Sequence, residues 1–294
     1  MSIRLSFLLP LLIVAPLVSA VGLWFIKAQL HRLEASFAEL FIEGKIADFQ
    51  RCVRQAGNQA IQLAALFAAD GEVIKAFRLA HRGNLDDPED PAQQAARERL
   101  RTILAEHIEG HEHFVNAAFR IHFHLPNARS LLRAWREKQA RRDGEWVDIS
   151  DDLSSFRQTV IEVNKRREPI RGIEPGRGGF TIRGLLPIAG EDGRHLGSVE
   201  VLIDFDEILQ GLTEQPGLST QLYMNKSILP ITTRLQDPVR YPIVAERHVL
   251  IAGQDETALS EHLDATRLDH AREQRQFVLL KDAARAYFPV RDYA

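Results

Sequence analysis

The chain has 294 residues, enough for one large domain or two modest ones, and its composition is that of an ordinary folded protein with no low-complexity tract. Thirty-seven basic residues against 40 acidic ones leave a net charge of -3, which argues against nucleic acid as a partner while allowing a local basic pocket. Cys52 is the single cysteine, so no intrachain disulfide forms, and the thiol reads as a lone side chain on a helix.

From Leu5 to Ile26 no side chain is charged, a run of the length that crosses about 30 Å of hydrocarbon as a helix. Pro10 and Pro16 suit a membrane helix better than a soluble one, and Trp24 sits where amphipathic rings favour the interface. Val18-Ser19-Ala20 has the small-residue look of a signal-peptide cleavage site. The apolar run nevertheless continues through Val21, Leu23, Trp24, Phe25 and Ile26, which favours an uncleaved anchor.

The anchor leads straight into a long helix. Ile26, Leu30, Leu33, Phe37 and Leu40 form one heptad stripe; Ile42, Ile46, Phe49, Val53, Ala56, Ala60, Leu63 and Phe67 form a second, out of phase with the first. The first stripe suits a second copy of the chain, and the second suits the chain's own domain. Gly71 interrupts this helix, a polar loop follows around Pro88 and Pro91, and Ala95 to Ile108 reads as a further helix.

The period then becomes two. Val115, Ala117, Phe119, Ile121 and Phe123 alternate with Asn116, Ala118, Arg120, His122 and His124, predicting a half-buried strand with a polar face. Ala128 to Arg136 reads as a short helix, Gly172 to Gly179 as a loop, and Asp151-Asp152 as an N-cap signal for a helix that buries Leu153, Phe156, Val160 and Val163. Phe180 to Ile188 and His195 to Ile203 are strands joined by a hairpin at Gly190-Glu191-Asp192-Gly193. Phe205 to Leu212 is a short helix. A weaker module follows, with strands at Leu218 to Met224, Val249 to Ala252, Gln276 to Leu280 and Ala284 to Val290, and a helix at Glu256 to His270. The last strand wants one more neighbour, so the chain reads as truncated after Ala294.

Short segments carry a family resemblance: His122-Phe123-His124-Leu125-Pro126, Arg129-Ser130-Leu131-Leu132-Arg133, Asp151-Asp152-Leu153-Ser154-Ser155-Phe156-Arg157, Gly172-Ile173-Glu174, Gly176-Arg177-Gly178-Gly179, Ile182-Arg183-Gly184-Leu185-Leu186-Pro187 and Gly197-Ser198-Val199-Glu200. The chain resembles the double-Cache sensor domains of bacterial chemoreceptors and membrane-bound signalling enzymes. The clear match covers His122 to Glu200; the second module fits only by order of elements. The resemblance implies an α+β fold with an N-terminal transmembrane helix, a long stalk helix and two PAS-like (Cache) modules with antiparallel sheets, the second incomplete at its C-terminus. On this chain the parts fall at 1-27 (anchor), 28-70 (stalk and dimerisation helix), 71-204 (membrane-distal module) and 205-294 (membrane-proximal module). The resemblance also implies a periplasmic domain on the inner membrane that binds a small molecule and signals through a second membrane helix, which this chain lacks.

The residues favour carboxylate recognition, because arginine binds carboxylates in a fixed bidentate geometry. Arg129, Arg133, Arg157, Arg177 and Arg183 are the candidates, with His122 and His124 on the strand. Asp152 and Glu174 would hold a ligand amine or orient the arginines, and Ser155 would donate to the ligand or cap its helix. The expected ligand is a carboxylate or an amino acid. Histidines two apart on a strand also suit zinc, but no cysteine lies near, and the reading assigns no metal and no cofactor. Gly176-Arg177-Gly178-Gly179 lacks the Lys-Ser/Thr of a P-loop, and no G-x-S-x-G elbow is present, so catalysis is not expected. The alternatives are a periplasmic anchored enzyme or metal-binding protein using the same cluster, and a dimeric scaffold that senses nothing.

Overall fold

The computed structural model describes residues 3–213, 217–253, 263–280 and 283–293, with the side chains of 3–13, 15, 207 and 213 excepted. It is an α+β structure with antiparallel sheets. The chain divides into two compact units, residues 1–48 with 266–289 and residues 49–265 with 290–294.

Helix α1 runs unbroken from Ile3 to Ala68. The two predicted stripes behave differently. Leu30, Leu33, Phe37 and Leu40 are exposed, whereas Ile46, Phe49, Ala56, Ala60 and Phe67 are buried. Among the described residues no helix is long and apolar enough to cross a membrane. The predicted span begins in the stretch whose side chains are not described.

Asp70 ends this region and starts the next. Its carboxylate accepts the Glu72 and Val73 amides at 2.7 and 2.9 Å and caps α2 (Gly71–Ala80). Asp90 caps α3 in the same way, with Pro91 at its first position. α3 runs from Pro91 to Val115, longer than predicted, and stops where Asn116 takes a left-handed conformation (φ 54°). The strand predicted from Val115 therefore begins only at Arg120.

The larger unit holds a five-stranded sheet in the order β2-β1-β7-β6-β5. Its strands are β1 (Arg120–His124), β2 (Ser130–Arg133), β5 (Ile170–Gly176), β6 (Gly179–Ala189) and β7 (His195–Asp204). Two predictions are corrected here. Ala128 to Arg136 is not a helix: Ala128 sits at φ 60°, the Leu125 amide bonds to the Arg129 carbonyl, and the chain turns back as β2 against β1. Gly172 to Gly179 is not a loop: it is most of β5 and the tight turn into β6. Between β2 and β5, β3 (Ala140–Arg142) and β4 (Glu145–Val147) form a hairpin over Asp143-Gly144, both at positive φ.

Both faces of the sheet are covered. Ile121, Phe123, Val199 and Val201 join Phe77, Leu100, Leu104 and Ala60 in the main core. Close approach on that side depends on Gly184, where a Cβ would lie 2.4 Å from the Ile61 amide nitrogen and 2.6 Å from the Ala60 carbonyl carbon. The opposite face carries α4 (Gln158–Arg166), whose Val160 and Val163 pack on Ile170 and Leu185. α4 begins at Gln158 rather than after Asp151-Asp152. The Asp152 carboxylate closes a local turn onto the Ser154 amide.

Helix α5 (Phe205–Thr213) follows the sheet. A small sheet of β8 (Leu222–Asn225), β9 (Ile243–Val244) and β10 (His248–Ala252), in the order β8-β10-β9, belongs to the same unit. Met224, Leu235 and Val249 form its core together with Phe180 of β6. Of the helix predicted over Glu256 to His270, only α6 (Ala265–His270) lies among the described residues; 254–262 lie outside them. The hairpin of β11 (Gln276–Leu279) and β12 (Ala284–Tyr287) belongs to the smaller unit. Tyr293, in the larger unit, donates its amide to the Ile173 carbonyl at the edge of β5.

Candidate functional site

Strand register builds the site. Pairing sets His122 opposite Arg133 on one side and Glu200 on the other, and His124 opposite Ser130 and Ser198. Paired residues of an antiparallel sheet share a face, so these six side chains gather under α4. The predicted half-buried polar face is in fact fully covered: His122 and Glu200 are at 1% and 0% exposure. Covering the face is what forces its polar groups to find partners inside the protein.

They do so in an ordered network. Arg157 donates Nε to Glu174 at 2.7 Å and an Nη to Glu200 Oε1 at 2.5 Å. Arg183 donates to the same Glu200 oxygen at 2.9 Å and to the Glu174 carbonyl at 3.1 Å. Glu174 also accepts the Thr159 amide at 2.8 Å, so β5 supplies across space the cap that α4 lacks in its own sequence. His122 Nε2 meets Ser130 Oγ at 2.8 Å, His124 Nδ1 meets Ser198 Oγ at 3.2 Å, and the rings face each other at 3.0 Å between His122 Nδ1 and His124 Nε2.

The electrostatics follow from this geometry. Burial opposes charge on Glu200, but Arg157 and Arg183 outweigh it and hold the carboxyl well below its usual range. Burial, then the neighbouring His124 ring, keeps His122 well below the usual imidazole value; burial also lowers His124 against the pull of Glu200. The core of the cluster is therefore two guanidiniums held against Glu174 and Glu200, beside two imidazoles whose burial disfavours the charged form. His122, His124 and Glu200 are also the group that could hold a metal ion, since one ligand atom from each lies within 4.8 Å of the others.

A second arginine group lies toward the surface. Arg133 forms a bidentate pair with Asp151 at 2.7 and 3.0 Å, and Arg177, over the Phe156 ring, reaches the same carboxylate at 3.1 Å. Half-buried Arg136 lies over the Trp146 ring, 5.2 Å from its centroid. Burial, followed by the charges of Arg133, Arg177 and Arg234, pushes Arg136 down to about 10, with Asp151 opposing them. The Arg234 amide bonds to the Arg177 carbonyl, which brings the turn at Thr233–Leu235 beside the β5–β6 turn.

Of the sequence candidates, His122, His124, Arg157, Glu174 and Arg183 come together in the buried cluster, and Arg133 and Arg177 in the outer group. Arg129 donates to the Ser150 carbonyl at 3.0 Å. Asp152 and Ser155 are exposed on the turn before α4. Glu200, Asp151, Ser130 and Ser198 stood in the family segments without a site role, and Arg136 and Arg234 were not among the site candidates. Their parity along a strand or turn was readable; the strands they face were not.

Helix-backed antiparallel strands around a covered polar cluster are the frame in which the family match falls. The family of double sensory domains of two-component sensor kinases matches residues 45–264, more than half of the chain. The chain belongs to this family. No curated protein matches it. Among solved structures, the chain is similar to the ligand-binding domain of the Campylobacter jejuni chemoreceptor Tlp3 in complex with 4-methylisoleucine, at 12% identity over 80% of this chain and 85% of that one, with a TM-score of 0.35. It is also similar to the domain of a sensory box/GGDEF family protein from Vibrio parahaemolyticus, at 10% identity over 69% and 81%, with a TM-score of 0.34. Membership rests on the family match and not on these distant likenesses.

Proposed function

We propose that this sensory chain detects a small anionic or zwitterionic metabolite, of the carboxylate or amino-acid class, through its outer arginine group. The observation that carries the reading is the imbalance around Arg136. Arg133 and Arg177 already share Asp151, and among the described residues the Arg136 guanidinium forms no ion pair. A partly desolvated cation with cationic neighbours is stabilised by an incoming anion. Arginine suits a planar carboxylate. Arg133 and Arg177 are retained from the sequence candidates, with Arg136 and Arg234 added. Arg157 and Arg183 already hold carboxylates of the chain, so a ligand carboxylate there would have to displace Glu174 or Glu200.

The proposal extends to placement. The uncharged run from Leu5 to Ile26 anchors the chain in the inner membrane, with the modules at 71–204 and 205–294 in the periplasm. The exposed stripe of Leu30, Leu33, Phe37 and Leu40 packs against a second copy. Protease protection on membrane vesicles tests the orientation. Sedimentation of a Phe37→Glu variant tests the dimer.

Thermal unfolding of the purified chain with organic acids and amino acids tests the sensing. A ligand at 100 times its Kd adds about 2.7 kcal/mol to stability and raises the midpoint. The shift should vanish in an Arg136→Met, Arg177→Met variant. No shift across the library, or a shift that survives the double substitution, would overturn the assignment.

A further inference from the structure

The geometry points to a divalent transition-metal site, of the zinc class, formed by His122 Nδ1, His124 Nε2 and Glu200 Oε2, with a fourth position for an exogenous anion. This inference does not rest on the outer arginine group.

Spacing is the first support. The three ligand atoms are separated by 3.0, 3.3 and 3.5 Å. A tetrahedral zinc ion about 2.0–2.1 Å from each nitrogen and oxygen sets ligand-to-ligand edges of about 3.3 Å. The triangle already has the size that such an ion requires.

Lone pairs are the second. Glu200 Oε2 is fully buried and faces the two rings at 3.3 and 3.5 Å without a well-formed hydrogen bond, while its sister oxygen takes both Arg157 and Arg183. Were both rings to turn an N–H toward Oε2, two donor nitrogens would face each other 3.0 Å apart. Were one ring alone to do so, a single proton would have to serve both the facing ring nitrogen at 3.0 Å and Oε2 at 3.3 or 3.5 Å. A cation at the centre satisfies all three atoms at once.

The outer partners are the third. The remaining ring nitrogens meet Ser130 and Ser198 hydroxyls at 2.8 and 3.2 Å. Metal-bound histidines are oriented through the ring nitrogen that faces away from the ion.

Charge then sets the fourth ligand. Arg157 and Arg183 are balanced by Glu174 and Glu200, so a divalent ion leaves two positive charges in excess. A hydroxide or a small carboxylate in the open position relieves part of that surplus. A set of three protein ligands is the number found in reactive or ligand-taking zinc sites, whereas closed structural sites have four.

The test uses the full chain, stripped with a chelator and titrated with Zn²⁺ by calorimetry and with Co²⁺ by visible spectroscopy. One ion per chain and the strong ligand-field bands of tetrahedral cobalt are expected. His122→Ala and His124→Ala should weaken zinc binding at least tenfold, and Ser130→Ala with Ser198→Ala by roughly 10–100-fold. His113→Ala, on α3, is the control for the other imidazoles of the chain and should leave binding unchanged. Sub-stoichiometric zinc, an octahedral cobalt spectrum, or affinity unchanged in the serine double variant would each overturn the site. The wild-type cobalt spectrum decides the matter even if a histidine variant fails to fold.

Discussion

Two arginine groups in the larger unit are built from the same residue type and end in different electrical states. Arg157 and Arg183 are almost wholly buried and meet two carboxylates, Glu174 and Glu200. Arg133 and Arg177 share a single carboxylate, Asp151, and Arg136 stands beside them half-buried. The reason lies in the elements that carry the acids. Glu174 and Glu200 sit within β5 and β7, where the sheet ladder fixes them under α4. Arg136, Arg177 and Arg234 sit on turns at the rim. A buried ion pair that is complete specifies packing but is weak evidence for stability, whereas an incomplete one is expensive. The difference separates a group whose charges are matched inside the module from one that keeps a cation in excess.

Breaking the inner group should have the largest effect. Glu200→Ala leaves two buried guanidiniums short of an acceptor and should cost about 3–5 kcal/mol in urea unfolding. A loss below about 1 kcal/mol would mean that the inner group is no better balanced than the outer one. Gly184→Ala attacks the register from the other face. Its methyl group would press on the α1 backbone, and the same measurement should register about 1–3 kcal/mol. Arg136→Met should change stability by no more than about 0.5 kcal/mol without ligand, because it removes a cation with no ion-pair partner to orphan. A large loss there would erase the contrast.

A third group lies between the extremes and gives the smallest effect. Arg97 and Arg101 share Asp148, at 3.4 and 2.8 Å, and its side chain keeps 20% exposure. Burial raises the Asp148 carboxyl, but hydrogen bonds from Arg101 and Gln94 and the Arg97 charge outweigh it, so its pKa is lowered from 3.8. A carboxyl lowered on folding contributes stability that is complete above its unfolded pKa and lost as pH falls through the folded one. Asp148→Asn should therefore flatten the acid limb of stability below about pH 4 in denaturation series at stepped pH, and change little near neutrality.

Local patterns were legible wherever their cause is local. The alternation through Ile121 and Phe123 marked β1, and the Gly190 to Gly193 turn marked the β6–β7 hairpin. Asp143-Gly144 carried an equally local hairpin signal that was passed over. Ala128 to Arg136 read as a helix because its apolar and basic spacing fits one; the positive φ at Ala128 and pairing with β1 override it. The arginines were visible as a set, but their division into inner and outer groups was not.

By itself the amino-acid order determined a long N-terminal helix, an antiparallel α+β module, an arginine-rich segment and a family of sensory domains, since periodicity, turn residues and short motifs act over a few residues. Only the tertiary structure decided that Glu200 stands opposite His122, that α4 closes over that face, and that Arg136 lies beside an aspartate already shared by two other arginines. Those outcomes depend on the pairing of β1 with β7 and on the turns that meet at the rim. Such contacts join distant parts of the chain, and their energies are set by what the assembled fold buries together.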